Sequence, residues 1–190
     1  MAALATSQQD SRPGLRPGEV VELQTAPSDP PVAFPVSARG EEEVDLNVLL
    51  LDRSGRTRTD QDFVLYNAPV SPKGAVRLAA PTIADGERRQ TVTIDLTSLV
   101  SEGVERLAVI ISSQIPLAAV PALRVDLTSA TLPGLVLPIP AEPGVAAAVI
   151  TEVYLRSDAD GSQWRLRGLG QGWVEGLAGV AREYGVHVDD

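Results

Sequence analysis

The sequence predicts a mainly β protein: a two-sheet β-sandwich of short strands, with one C-terminal amphipathic helix packed on a sheet. Three observations predict it. Short alternating or apolar runs recur along most of the chain. Pro, Gly and Asp turn signals separate them at short intervals, the spacing of packed antiparallel sheets. Sustained helical periodicity appears only near the end, where Trp173, Leu177, Val180, Ala181 and Tyr184 fall on one face at 3.6 residues per turn.

Taken in order, residues 1–14 are small and polar without periodicity, a disordered tail ahead of one domain over 15–188. Residues 19–23 (EVVEL) form a short strand. The segment 25–35 carries four prolines, which exclude helix and central strand and leave an edge segment near 32–36. Glu41, Glu42 and Glu43 form a solvated turn. Residues 44–51 (VDLNVLLL) are the strongest strand of the first half. Val44, Leu46, Val48 and Leu50 point one way, and Asp45, Asn47 and Leu49 the other. Residues 52–59 turn around Ser54 and Gly55. The runs 62–66 (DFVLY) and 75–79 read as a hairpin across the Pro/Gly loop 67–74. Residues 81–90 are polar and loop-like, 91–96 (TVTIDL) alternate, and 97–103 allow one helical turn. The near-continuous apolar run in 105–112 is a buried strand. Another strand follows at 123–127, and the proline-rich 132–143 connects sheet elements. Residues 145–156 turn at 157–161 (SDADG) and pair back over 163–169.

The stretch 163–188 reads as a strand, a Gly-rich turn and the helix. Gly185 is placed for a left-handed C-cap, and Val186 for the apolar contact of a Schellman motif. Gly176 and Gly179 cost the helix up to ~1 kcal/mol each relative to Ala, which close packing on a sheet would explain.

Bulk composition narrows the function classes. The chain has 190 residues, 44% hydrophobic and 22% charged, an ordinary globular balance. Aromatics are only 4%, so Val, Leu, Ile and Ala must fill the core. A net charge of −9 argues against nucleic-acid backbone binding and admits cations or basic partners. With no Cys there is no disulfide, thiolate metal site or thiol chemistry. The N-terminus is not a signal peptide, and no apolar run is long enough for a membrane span, so a cytoplasmic protein is expected.

Little points to an enzyme. There is one His, at 187 beyond the helix cap, no Cys and no G-x-S-x-G. No carboxylate pair stands out as a raised-pKa acid. Gly168, Gly170 and Gly172 precede a helix, where an anion could be cradled. Trp173 occupies the place of the third glycine of G-x-G-x-x-G, and tight strand-to-helix packing is the better reading. A cation site is the remaining option. Asp45 and Asn47 project from one strand face, with Asp52, Asp60 and Asp62 near in sequence. Ca²⁺ takes 6–8 oxygens, so other loops must contribute. The SDADG segment lacks the remaining ligands of an EF-hand loop and reads as a hairpin turn.

The sequence resembles the TerD family of tellurium-resistance and stress-response proteins. The resemblance runs over 15–188, through LRPGEVVEL, DLNVLLL, DFVLYNAPVSPKG, VTIDLTSL and RLAVII to the terminal GLGQGWVEGLAGVAREYGVHV. It implies a β-sandwich that binds Ca²⁺ through acidic loops, a cytoplasmic location and no established catalytic activity. Family members are linked to tolerance of tellurite and other stresses, and one relative is described as binding cyclic AMP. On this chain the implied metal residues are Asp45, Asn47, Asp85 and Glu87. The pattern is eroded. Asn47 stands for an Asp, and the family's Gly-Asp-Asp-Glu run falls on Glu87, Arg88, Arg89 and Gln90. Residues 112–116 (SSQIP) replace an acidic loop. A like-charge contact at ~4 Å costs about 1–4 kcal/mol per charge, so weak or absent Ca²⁺ binding is expected. The expected role is a non-enzymatic module acting through protein partners, with cation or small-ligand binding, for instance of a cyclic nucleotide, as the alternative.

Overall fold

The computed structural model describes residues 12–188, apart from 41 and 160. In chain order the strands are β1 Val20–Leu23, β2 Val32–Arg39, β3 Val44–Leu51, β4 Phe63–Val64, β5 Val76–Leu78, β6 Thr82–Ala84 and β7 Glu87–Ile94. Helix α1 Leu96–Glu102 follows. Then come β8 Arg106–Ser113, β9 Arg124–Leu127, β10 Leu135–Val136, β11 Ala147–Asp158, β12 Gly161–Trp173 and helix α2 Gly176–Glu183. The ladders between these strands are antiparallel and form two sheets. The first runs β1-β12-β11-β8-β3-β4. The second runs β10-β9-β2-β7-β5, with β6 also on β7.

The two-sheet sandwich is as expected. Val44, Leu46, Val48 and Leu50 of β3 face Phe34, Val92 and Ile94 of the second sheet within one apolar core. The opposite face of β3 contributes Leu49 and Leu51 to a second cluster, where Val180 and Ala181 of α2 cover the first sheet. Trp173, Leu177, Tyr184 and Val186 pack against that cluster. The helix therefore does seal a sheet, and its cap has the expected form. Gly185 takes φ +84°, its N–H donates to the Arg182 carbonyl at 3.1 Å, and the Val186 N–H donates to the Ala181 carbonyl at 2.8 Å. Burial pushes the Tyr184 phenol well above its usual range.

Five expectations are corrected. First, β2 is a central strand of eight residues between β7 and β9, not an edge segment. Pro35 is accommodated because the β2–β9 ladder skips it: Ala33 bonds to Thr128, and pairing resumes at Val36 and Ser37. Second, β4 and β5 are not a hairpin. The former pairs with β3 and the latter with β7, in different sheets, so 67–74 crosses between layers. Third, 81–90 is a hairpin, not a loop. β6 and β7 pair through Ala84 and Glu87 around Asp85 (φ +53°) and Gly86 (φ +72°), a two-residue turn with both central φ values positive. Fourth, the Gly-rich stretch lies inside β12. A Cβ at Gly172 would sit 2.6 Å from Val145 Cγ1, and one at Gly168 2.7 Å from the Arg16 carbonyl oxygen, so these glycines permit close approach within a strand. Fifth, the helix is shorter than its apolar stripe. It starts at Gly176, and Trp173 closes β12.

Residues 1–11 of the expected tail lie outside the described residues. Just after them, the Val136 N–H donates to the Pro13 carbonyl at 3.0 Å and the Leu15 N–H to the Val136 carbonyl at 2.8 Å. Among the described residues no helix is long and apolar enough to cross a membrane.

Candidate functional site

Strand alternation sorts the residues of the expected cation site. On β7, Gln90, Val92 and Ile94 are buried and form the inward row, and Arg88 starts that row at the mouth of the sandwich. Glu87 and Arg89 belong to the opposite, outward row. There the Arg89 guanidinium donates to Glu87 at 2.8 Å and holds its carboxyl below the usual carboxylate range. Asp85 sits at the tip of the β6–β7 turn, where its charge acts on Arg89. The four expected residues therefore separate into two groups: Asp45 with Asn47 on β3, and Asp85 with Glu87 at the outer end of the hairpin.

The link between β3 and β7 runs through the inward row. Arg88 Nη2 reaches Asp45 Oδ1 at 3.4 Å, with the arginine side chain 13% exposed. Its Nε is buried without an acceptor, so the pair is not fully bonded. Two residues along, Gln90 is 3% exposed and spans the layers. Its Oε1 accepts from the Leu46 N–H at 2.9 Å, and its Nε2 donates to the Ala79 carbonyl at 3.2 Å. The Leu46 N–H needs that acceptor because β4 pairs with β3 only at Val48 and Leu49.

On the helix side, Asp45 and Asn47 line a cavity of about 380 Å³. Glu43, Ser112, Glu175 and Leu177 are among the residues that also line it, and Tyr66 and Val174 border it, 72% and 61% exposed. Asn47 is buried. Its Nδ2 donates to Ser112 Oγ at 3.1 Å and toward the Asp45 carbonyl at 3.4 Å. The α2 first turn also borders the cavity and brings the partial positive charge of a helix N-terminus.

The four residues expected to hold Ca²⁺ are not brought together as one site. The ion needs 6–8 oxygens and several carboxylates. Asp45 already faces a guanidinium, and Asp85 and Glu87 group elsewhere. Among the described residues no three His, Asp or Glu side chains come together as a metal site.

The other acidic candidates serve the chain locally. Asp52 Oδ1 accepts from Ser54 Oγ at 2.6 Å and from the Ser54 and Arg56 N–H groups at 2.8 and 3.1 Å. These bonds, the Ser54 side chain first, lower its pKa. Asp60 lies in a 3-10 turn. Asp62 is buried under Arg58, which donates to both of its oxygens at 2.9 and 2.7 Å. Glu102, which was not an expected site residue, is likewise buried and accepts from the Ala75 N–H at 2.9 Å. Asp158 ends β11, and Asp160 of the SDADG turn lies outside the described residues. Gly168 does not cradle an anion, since its N–H donates to the Glu19 carbonyl at 2.9 Å. His187 is exposed beyond the α2 cap.

Glu175 and Tyr66 were not expected at the site, and Gln90 and Ser112 entered only as departures from the family's acidic pattern. Gln90 carried a signal, since it continues the alternation of Val92 and Ile94. The other three are joined to Asp45 only by the fold.

A family model of the TerD domain matches residues 14–123, more than half of the 190-residue chain. The chain belongs to the TerD family. No curated protein matches the sequence. The TerD match ends just before β9, yet β9 and β10 extend the second sheet, and β11 and β12 lie in the middle of the first.

Proposed function

We propose that this TerD-family protein is a non-enzymatic, cytoplasmic module of a tellurium-resistance-type stress response that acts by binding a protein partner, with calcium binding weak or lost. The observation that carries the reading is the cavity beside Asp45. It is lined by Glu43, Asp45 and Glu175 and bordered by the exposed Tyr66 and Val174, an apolar and acidic surround suited to a basic partner segment. The apolar segments at 115–121 and 132–140 are weaker candidates. Leu117, Val120, Leu135 and Leu137 turn into the core instead of outward. The loss of calcium binding is supported by Arg88 on Asp45 and by Arg89 on Glu87.

The alternative small-ligand reading draws on the same cavity, but a cyclic nucleotide would bring its phosphate against three carboxylates. Crosslinking and capture from stressed cells tests the main reading. The wild type should recover a defined protein partner, and the Y66A/V174S variant should lose it while folding normally. Equal recovery by both proteins counts against this face.

A further inference from the structure

We propose that Arg88 is a resident cation: its guanidinium takes over the charge-balancing role of a metal ion at Asp45 and closes the seam between the two sheets without calcium. The inference rests on the proposed loss of calcium binding and is independent of the partner role.

Three features of the fold support it. Arg88 belongs to the second sheet and Asp45 to the first, so their contact joins the layers, as a shared ion would. Arg88 is the only residue of the 87–90 run whose charged group reaches β3; Arg89 is spent on Glu87, and Gln90 is neutral. Finally, Arg88 shares its inward row with Gln90, whose bond to Leu46 fixes the same edge of β3. A guanidinium cannot lose its charge at any physiological pH, so the balance is permanent, whereas a bound ion would respond to its concentration.

The test is a double-mutant cycle on the full chain. Wild type, R88M, D45N and R88M/D45N are unfolded by heat at low ionic strength, each with excess calcium and with a chelator. Met keeps most of the apolar stem of Arg88, so the change is chiefly one of charge. The single variants should melt lower by roughly 1–4 °C. The double variant should melt no lower than the worse single one, and added salt should shrink the deficit. The wild type should melt at the same temperature with calcium as with chelator. If the two substitutions are simply additive while the wild type ignores calcium, the role of Arg88 is overturned and the loss of calcium binding stands. If calcium raises the wild-type melting temperature, both fall.

Discussion

The most direct probe of how the sheets are joined at this edge is Gln90→Met. Met has nearly the volume of Gln and no hydrogen-bonding amide, so the substitution removes two bonds without opening a cavity. Ala79 is an exposed residue, so its carbonyl can turn to water. The Leu46 N–H cannot: it lies in a fully buried stretch of β3 and has Gln90 Oε1 as its acceptor at 2.9 Å. Leaving a buried donor unpaired costs about 1–3 kcal/mol. For a chain of this size that lowers Tm by roughly 2–10 °C. Urea denaturation should show the loss as a lower midpoint with an unchanged slope. Hydrogen exchange gives the residue-level reading, because the Leu46 amide should lose protection beyond the global change. If Leu46 keeps its wild-type protection relative to its neighbours and the stability loss stays under about 0.5 kcal/mol, Gln90 is not the strut the geometry describes.

Two further outcomes follow from local geometry. Gly86→Ala places a side chain at φ +72° in the β6–β7 turn and should cost on the order of 1–2 kcal/mol by denaturant titration, with added mobility at Arg88 seen by NMR relaxation. Asp95 caps α1 by accepting from Ser98 Oγ at 2.6 Å and from the Ser98 and Thr97 N–H groups at 3.0 Å, bonds that, the Ser98 side chain first, hold its carboxyl below its ordinary 3.8. A lowered carboxyl stabilises the fold fully above its unfolded pKa and ceases to as pH falls through the lower folded value. D95A should therefore cost about 0.5–2 kcal/mol at neutral pH, and the gap to wild type should narrow once pH falls below 3.8.

Much of this fold was legible because period and position agree. The stripe from Trp173 to Tyr184 gave the packing face of α2, and Gly185 and Val186 gave its cap. The alternation of β3 gave both of its faces, including the placement of Asp45 and Asn47 together. What failed was the assignment of strands to layers. β4 and β5 look like a hairpin, yet period-two alternation says only which residues share a face, never which sheet a strand joins. The 81–90 segment was hidden by its charge. Thr82 to Ala84 is exposed, and the outward row of β7 is polar, so the segment read as loop despite the Asp85-Gly86 turn signal. That error carried over to the site, because only the strand assignment places Arg88 and Glu87 on opposite faces.

Set against the carboxylates that the TerD resemblance implies, Arg88 and Gln90 form a coherent pair on physical grounds. Both stand on the inward row of β7, and the TerD resemblance places carboxylates at both. Position 90 is almost fully buried. A carboxylate there without a metal would be an isolated buried charge, an arrangement proteins avoid by pairing or by a shift in pKa. Gln keeps an acceptor for the Leu46 N–H and removes the charge. At position 88, nearer the rim, a second carboxylate would repel Asp45 unless a cation lay between them. Arg reverses that sign and pairs with Asp45. Each replacement alone would leave an imbalance. Arg88 beside a buried glutamate at position 90 would split its charge between two acids, and Gln90 beside an aspartate at position 88 would leave the rim acids unscreened. On the proposed loss of calcium binding, the pair lets the same two strands meet with no ion between them.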